Sequence, residues 1–389
     1  MSSPDPTPVL PANPKAEYEA IGGEIDAAIA ATLDNGRYIL GPEVAAFEAE
    51  FAAFHDACEC IGTGSGTEAL HLALRAAGIG PGDAVITVSH TAVATVAAIE
   101  LTGATPVLVD IHPRTYNMDP EKLEALLKNW EVRTRLLGTP TPRAVIPVHL
   151  YGHPAPMPEI VSIANHHELT IIEDCAQAHG ASIKGRLVGT WGDIAAFSFY
   201  PTKNLGALGD AGALITNNCK LAEQARLIRE YGWAERYISS LPGMNTRLDE
   251  IQAAILRVKL PYLRRWNKAR RAIAAQYDAV LSELPDDRLL PPTATEEIYH
   301  VYHQYVIRIQ NRDQIKQKLA DHNIITSIHY PLPVHMQPAY RDRGLTAQAA
   351  LDVTEQIASE ILSLPVYPYF RPADANRVVQ TLTDIVGPE

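Results

Sequence analysis

Three short segments of the sequence combine residues that could do chemistry together. The first, residues 62–67, reads Gly-Thr-Gly-Ser-Gly-Thr and precedes a stretch of helical apolar spacing, 67–77. At such a helix start, unpaired N–H groups, the helix dipole and the Thr67 hydroxyl converge on one point, which suits a phosphate. A dinucleotide fingerprint needs a third glycine in place of Thr67, and a nucleoside-triphosphate loop needs Gly-Lys-Ser/Thr. The segment therefore predicts a phosphate site of another kind, with an ordinary glycine turn as the alternative.

The second segment, residues 173–177, follows the apolar run 170–172. This position places Asp174 at the carboxyl end of a strand, where open α/β sheets bind ligands. A carboxylate there can hold a cationic ring nitrogen, and Gln177, one turn further on, can reach an oxygen of the same ligand. The alternative is that Asp174 only caps the segment that follows.

The third segment, residues 198–206, carries a hydroxyl, Ser198, at the end of an apolar run and then Lys203 in a turn. Gly206, Gly209 and Gly212 follow, so the lysine is expected close to backbone and poorly solvated. Desolvation lowers the pKa of an amine and makes it a nucleophile toward carbonyls, as a Schiff base requires. A surface lysine is the alternative for any single lysine.

The three segments together are more specific than any one of them. Lys203 lies 29 positions after Asp174, and the glycine segment precedes both. Pyridoxal phosphate needs an anchor for its phosphate, a partner for its pyridinium nitrogen and a lysine for its aldehyde. The sequence therefore predicts a pyridoxal phosphate site.

The elements that would position these groups alternate along the chain. Asp119, followed by Pro120 and Glu121, predicts the start of a helix over 123–127, and 67–77 is predicted helical. The apolar runs that predict buried strands are 85–88, 106–109, 145–148, 170–172, 194–199 and 213–215. This alternation indicates an α/β domain with a mostly parallel sheet flanked by helices.

The alternation of predicted strands and helices ends at about residue 245. Two long connecting helices are predicted, interrupted near Pro261, and a strand, a helix and a proline-broken loop follow them. These stretches are 248–263, 268–284, 302–309, 312–322 and 330–340. We therefore expect a flexible arm at 1–14, a large α/β domain at 15–245, and at 246–389 the connecting helices with a smaller C-terminal α+β domain.

Composition limits the partners. The chain of 389 residues has 33 Lys and Arg against 45 Asp and Glu, a net charge of −12, which argues against nucleic acid and anionic membranes. The most apolar window, 84–99, is too short and polar to span a bilayer, and 1–14 lacks the apolar core of a secretory signal. Cys58 and Cys60 lack metal-site spacing, so no metal site is predicted. A reduced, cytoplasmic location is expected.

Six ordered stretches give the chain a family resemblance. They are 36–42, 62–70, 147–152, 173–180, 198–212 and 245–249. Through them the sequence resembles the DegT/DnrJ/EryC1/StrS sugar aminotransferases of fold type I, from about Lys15 to Arg371. The resemblance implies a pyridoxal-phosphate enzyme with a large domain and a smaller C-terminal one.

The resemblance also implies roles for individual residues. Lys203 matches the catalytic lysine that binds the cofactor, Asp174 the partner of the ring nitrogen, and Gln177 a contact to the ring's phenolic oxygen. Asn245 matches an asparagine that reaches the phosphate from the other subunit, which implies a homodimer with shared active sites. The phosphate would be held within one chain by Gly66, Thr67 and Ser198.

One position departs from the family pattern. Many relatives carry an aromatic residue that stacks on the cofactor ring where this chain has Ala92. His90 could take that role or be a hydrogen-bonded core histidine, and the sequence leaves both open. In the segment that resembles the substrate-facing loop, His329, Tyr330 and His335 are the candidate substrate contacts.

The implied activity is transfer of an amino group, from L-glutamate, to a keto group of a nucleotide-linked sugar. In the sugar dehydratase branch of the family, histidine replaces the lysine, so Lys203 argues against that alternative. A non-catalytic regulator of the same fold is the other alternative. Lys203, Asp174 and Gln177 together argue against it.

Overall fold

The structure, a computed structural model, describes residues 7–138, 140–285, 288–293, 295–343 and 350–387. The helices are α1 Pro14–Asn35, α2 Pro42–His55, α3 Gly66–Ala76, α4 Val93–Leu101, α5 Pro120–Lys128, α6 Trp130–Leu137, α7 Met157–His166, α8 Cys219–Arg229, α9 Glu250–Lys259, α10 Leu263–Leu281, α11 Arg312–Asp321, α12 Asp352–Glu360 and α13 Pro372–Val386. The strands are β1 Glu59–Thr63, β2 Asp83–Val88, β3 Thr105–Val109, β4 Thr141–Val145, β5 Thr170–Asp174, β6 Ser182–Ile183, β7 Arg186–Leu187, β8 Ile194–Ser198, β9 Gly212–Thr216, β10 Trp233–Glu235, β11 Ile238–Ser239, β12 Leu289–Leu290, β13 Ile298–Tyr299, β14 Tyr305–Ile309 and β15 Ile361–Leu364.

The large domain is built on a central sheet. Within the described ranges it has seven strands in the order β1-β9-β8-β5-β4-β2-β3. Strand β9 pairs antiparallel with both β1 and β8, whereas the neighbours from β8 to β3 are parallel. Most residues of these strands are buried beneath helices, as parallel sheets require. The predicted α/β class with a mostly parallel sheet is confirmed.

Most predicted strands coincide with β2, β3, β5, β8 and β9. The strand predicted at 145–148 was placed too late, because β4 ends at Val145. Its first residues, Thr141 and Arg143, are exposed, so they lacked the apolar signal. Pro147 has no N–H to continue the ladder, although the chain still runs beside β5 through a bridge between Val148 and Asp174.

Helices α9 and α10 follow the large domain. One turn of 3-10 helix, Leu260–Tyr262, joins them and contains Pro261, as the sequence predicts. Helix α10 begins at Leu263, earlier than the predicted 268. Charged residues at 264, 265 and 268 hide the pattern, but Leu263 and Trp266 are buried and fix the helical face.

The chain beyond α10 forms a second, smaller layer. Strands β12, β14 and β15 make an antiparallel sheet that shares an apolar core with α10, α11 and α13. Of the arm predicted at 1–14, residues 1–6 lie outside the described residues. Val9 is buried and bridges to Ile324, and α1 begins at Pro14.

Across the described ranges, no helix combines the length and the apolar character that crossing a bilayer would need.

Candidate active site

The glycine segment meets the end of β8 at the start of α3. Gly66 and Thr67 open this helix, so their N–H groups have no acceptor within it. A Cβ on Gly66 would lie 2.5 Å from the Ser198 Cβ, closer than real atoms approach. Glycine is therefore required for this contact. The structure brings Gly66, Thr67 and Ser198 together, in a cradle of N–H and hydroxyl groups suited to a phosphate.

A segment that is distant in sequence contacts the glycine segment and fixes its position. The Thr246 hydroxyl donates to Glu68 Oε2 over 2.9 Å and accepts from the Gly64 N–H over 3.2 Å. Asn245 precedes it and has an exposed side chain, while its backbone bridges to Glu230. The side chain of Asn245 thus faces the surface of the single chain, next to a residue that fixes the glycine segment.

Asp174 ends β5 as a buried carboxylate. Its Oδ2 accepts from the Thr95 hydroxyl over 2.9 Å, and its Oδ1 accepts from the Ala176 N–H over 3.1 Å. Burial raises the pKa of this carboxyl, and the two hydrogen bonds and the charge of Lys203 oppose the rise. A buried carboxylate is stabilised by a cation, so Asp174 suits a protonated ring nitrogen.

Gln177 has its side-chain amide oriented by two contacts. Its Oε1 accepts from the Tyr151 N–H over 2.7 Å, and its Nε2 donates to the Tyr330 hydroxyl over 3.1 Å. An amide nitrogen carries two hydrogens, so one donor remains for a ligand oxygen. This orientation fits the predicted contact to a phenolic oxygen.

Glu173, near the end of β5, binds the segment of the chain that leads into β8. Its carboxylate is completely buried and accepts from the N–H groups of Gly189, Trp191 and Gly192 over 2.7–2.8 Å. His149 Nε2 lies 3.0 Å from the same carboxylate. Ligand atoms of Glu173, His149 and Cys175 lie within 4.8 Å of one another, but these hydrogen bonds already occupy the carboxylate. The cluster therefore serves to set β5 relative to β8.

Lys203 lies in a tight turn that several elements fix. Its N–H donates to the Tyr200 carbonyl over 2.8 Å. A Cβ on Gly206 would lie 2.5 Å from the Pro201 carbonyl oxygen, so the turn needs glycine there. Lys259, on α9, donates to the Gly206 carbonyl over 2.7 Å.

Asn204 attaches this turn to the second layer of the chain. Its Nδ2 donates to Asn267 Oδ1 over 2.8 Å and to the Val301 carbonyl over 3.0 Å, and its Oδ1 lies 3.2 Å from His303 Nδ1. Asn204 is completely buried. The residue after Lys203 thus anchors the turn to α10 and to the segment before β14.

The Lys203 amine is poorly solvated. Burial lowers its pKa to about 8, and the charge of Asp174 opposes that change. Within the described part of the chain, the amine makes no ion pair closer than 4.0 Å. Near neutral pH a useful fraction of Lys203 is therefore the neutral nucleophile.

Two predicted substrate contacts adjoin this lysine. Burial, followed by the charge of Lys203, lowers the pKa of His329 to about 4. Burial, followed by the charge of Asp174, raises the pKa of Tyr330 to about 12. The Tyr151 hydroxyl donates to the His329 carbonyl. His329 and Tyr330 thus lie in the same cluster as Lys203, Asp174 and Gln177.

His335 is held in a different contact. Its Nδ1 lies 2.6 Å from the Ser89 hydroxyl and its Nε2 lies 3.1 Å from Glu355 Oε1, so both ring nitrogens have partners. His90 is buried, and its Nε2 lies 2.8 Å from the Tyr151 hydroxyl. Because that hydroxyl donates to His329, His90 donates to Tyr151. His90 therefore has the hydrogen bond of a core histidine.

Sequence reasoning missed several residues that shape the site, and four of them contact predicted site residues or their segments directly. They are Thr95, which donates to Asp174; Tyr151, which orients Gln177; Thr246, which holds the glycine segment; and Asn204, which anchors the lysine turn. Tyr151, Asn204 and Thr246 lie within stretches that carry the family resemblance, which was the available signal. Thr95 gives no local sign, because its role depends on α4 meeting β5.

The chain is an α/β protein whose mostly parallel sheet carries a cradle suited to a phosphate, a buried strand-end carboxylate and a desolvated lysine. The family is settled by comparison: the chain belongs to the DegT/DnrJ/EryC1/StrS aminotransferase family, whose model matches residues 19–383.

Individual relatives agree with this assignment over nearly the whole chain. A Streptomyces venezuelae protein named dTDP-3-amino-3,4,6-trideoxy-alpha-D-glucose transaminase is 44% identical over 385 residues, 99% of this chain and 98% of that one. The crystal structure of S. venezuelae DesV in complex with a ketimine intermediate superposes with a TM-score of 0.93 at 43% identity, covering 99% and 100% of the two chains. Bacillus subtilis NtdA, solved with bound cofactor PMP, gives 0.88 at 32% identity, covering 99% and 86%.

Replacing the strand-end carboxylate tests its assigned role. We expect Asp174→Asn to keep some cofactor but to lose turnover by about a hundredfold to a thousandfold, the range for removing one charge-stabilising group. The amide has no charge to balance a protonated ring nitrogen. Steady-state kinetics and the absorbance of bound cofactor measure the two effects. Near-normal turnover in a variant that retains cofactor would refute the role of Asp174.

Proposed function

We propose that this chain is a pyridoxal-phosphate-dependent aminotransferase that moves an amino group, from L-glutamate, to a keto group of a nucleotide-linked sugar. The observation that carries the proposal is the juxtaposition of Lys203, Asp174 and the Gly66–Ser198 contact in one site. The amino-sugar transaminase named among the relatives supports a nucleotide-linked substrate.

The residues fit the cofactor that the family implies. The N–H groups of Gly66 and Thr67 and the Ser198 hydroxyl would hold the phosphate, Asp174 would hold the ring nitrogen protonated, and Gln177 would donate to the ring oxygen. When bound, pyridoxal phosphate supplies an electron sink for the charge left at a carbon that loses a proton. The buried Asp174 carboxylate favours the cationic ring that makes the sink effective.

Lys203 is the group placed to move protons. With its pKa near 8, the neutral Nζ can take the proton from the α-carbon of the amino donor. The same atom, then protonated, would return it to the cofactor carbon that carried the aldehyde, which leaves the amino group on the cofactor. The reverse sequence would then pass that amino group to the keto sugar. The turn that carries Lys203 is fixed by Asn204 and Lys259.

The rival activities within the family are not favoured by the site. A dehydratase of the histidine type would lack Lys203. A non-catalytic regulator would have no need of a buried amine without a close ion pair, which costs folding stability wherever it is protonated.

We propose that the working unit is a homodimer with shared active sites, in the cytoplasm. Large apolar side chains are exposed on the single chain, including Tyr237 at 72% and Ile238 at 61% on the β10–β11 hairpin. Tyr200, in the lysine turn, is also exposed. Such apolar surface is typical of protein interfaces. Asn245 follows this hairpin and would reach the phosphate of the partner's site.

A reverse-reaction panel tests the activity. The protein, loaded with pyridoxal phosphate, is mixed with 2-oxoglutarate and a series of nucleotide-linked amino sugars, and glutamate is measured. We expect glutamate to form with at least one amino sugar, and the cofactor absorbance to change on adding L-glutamate alone. Absence of both responses in cofactor-loaded protein would leave the regulator as the better reading.

The depressed pKa of Lys203 predicts how cofactor capture depends on pH. Only the neutral amine attacks an aldehyde, so the rate at which cofactor-free protein captures pyridoxal phosphate should rise with pH and level off above about 8. An ordinary lysine would still be gaining rate toward pH ~10.4. Stopped-flow absorbance between pH 6 and 10 measures the midpoint. A midpoint near that of free lysine would contradict the desolvated environment.

A further inference from the structure

A second cleft lies away from the active site. Its volume is about 930 Å³, and it is bounded by the C-terminal end of α2, the β6–β7 hairpin and the first turns of α10. Thr190, before β8, and Asn217, after β9, both line it. Ala195 pairs with Ile215 and Ser198 with Gly212, so the start of β8 lies beside the end of β9. Thr190 and Asn217 therefore lie at the end of these two strands that is opposite Ser198. The length of β8 separates that end from the phosphate cradle, about 16 Å.

The side chains that line the cleft carry a net positive charge, although the net charge of the whole chain is strongly negative. Arg186, Arg264 and Lys268 line it, against the single carboxylate of Asp56. Among the described residues, Arg264 and Lys268 form no ion pair, although they lie four positions apart on one face of α10. Like charges at this spacing destabilise a helix. No carboxylate among the described residues offsets this repulsion through an ion pair.

Aromatic rings hold the arginines in place. The Arg264 guanidinium lies 5.0 Å from the centre of the Phe54 ring, and the Arg186 guanidinium lies 4.3 Å from that of Trp191. Arg186 stands on the β6–β7 hairpin, which also pairs with β13. A guanidinium stacked on a ring keeps its N–H groups at its edge. Arg186 Nε and Nη2 donate to Thr190, so its Nη1 is the group left for a ligand. The Arg264 guanidinium, which makes no hydrogen bond among the described residues, can bind a phosphate with two hydrogen bonds.

The floor of the cleft leads toward the lysine turn. Asn267 lines the cleft, its Oδ1 accepts from Asn204, and its Nδ2 donates to the His179 carbonyl over 2.8 Å. Asn204 is the residue that anchors the Lys203 turn to α10. One buried amide therefore contacts both the cleft and the element that carries the reactive lysine.

We propose that this cleft binds a phosphate-bearing small molecule, and that Asn267 connects the occupied cleft to the Lys203 turn. The stacked arginines and Lys268 supply the charge, and the volume falls in the range of small-molecule pockets, roughly 300–1,000 Å³. Either a nucleoside diphosphate or free inorganic pyrophosphate has the shared chemistry of two linked phosphates.

Calorimetric titration of the cofactor-loaded protein tests the site. Inorganic pyrophosphate is the probe, the test variant is Arg264→Ala/Lys268→Ala, and the control is Lys316→Ala/Lys318→Ala, which removes the same charge from α11. We expect the dissociation constant to rise at least about tenfold in the test variant, the loss of one charge-assisted hydrogen bond, and to stay unchanged in the control. No binding to the wild type, or equal affinity in all three proteins, would overturn the proposal.

A nucleoside diphosphate arm separates the two sources of the ligand. If dTDP occupies two sites per chain and the test variant loses one of them, the ligand class is a nucleotide. If the test variant loses affinity for pyrophosphate but binds dTDP as the wild type does, the ligand is a smaller phosphate. These outcomes do not depend on the aminotransferase activity. If the cleft binds no phosphate, the proposed function is unaffected, and if the aminotransferase activity is absent, the proposed binding in the cleft is unaffected.

The connection through Asn267 has its own readout. Pyrophosphate should shift the pH midpoint of the cofactor absorbance in the wild type. The shift should be lost in Arg264→Ala/Lys268→Ala because the ligand is lost, and in Asn267→Ala although the ligand still binds. Binding to the wild type without any spectral shift would overturn the connection.

Discussion

Lys203→Ala is expected to abolish amino transfer, with turnover reduced by about a thousandfold or more, because the variant lacks both the nucleophile and the general base. Borohydride reduction of the wild-type protein, followed by peptide mapping, should find the pyridoxyl group on Lys203. The desolvated amine with its pKa near 8 is the reason to expect that residue and no other.

Two controls make this experiment specific. Lys220→Ala removes an exposed lysine at the start of α8 and should leave both turnover and the mapped peptide unchanged. Lys203→Arg keeps a positive charge but cannot become neutral in the working range, so it should be as inactive as Lys203→Ala. A pyridoxyl group found on another lysine would sink the assignment.

The local part of the site could be predicted from sequence because each motif contains its own geometry. Asp174 lies two positions after the apolar run 170–172, and such a run predicts a strand whose carboxyl end can be placed. Gly66 and Thr67 precede a helical pattern, so the helix start follows. Lys203 lies between an apolar strand and closely spaced glycines. In each case the chemistry depends on neighbours within a few positions.

What depends on distant contacts could not be predicted in this way. Strand β1, Glu59–Thr63, has only Cys60 and Ile61 as apolar residues, and its pairing with the reversed β9 supplies the stability that its own sequence lacks. Thr246 reaches the glycine segment across 182 positions. His335 lies in a loop with the right residue types, yet Ser89 and Glu355 occupy its ring. Composition cannot distinguish such a partner from a ligand.

The proposed sharing of active sites between subunits gives the other large expected effect, measured by mixing two inactive proteins. Lys203→Ala chains and Asn245→Asp chains should each be nearly inactive alone, because one lacks the amine and the other places a carboxylate against the cofactor phosphate. After subunit exchange, hybrid dimers should regain activity in one of their two sites.

The expected amount follows from the arrangement. If Lys203 and Asn245 of one site come from different chains, each hybrid has one site with both residues intact, and random exchange restores about a quarter of the sites. If both residues came from one chain, every site in the mixture would carry a defect. The exposed Asn245 side chain, beside the apolar β10–β11 hairpin, favours the first arrangement. Mass spectrometry of differently tagged chains confirms exchange. Inactivity of a fully exchanged mixture would place Asn245 in the site of its own chain, where its neighbour Thr246 already holds the glycine segment.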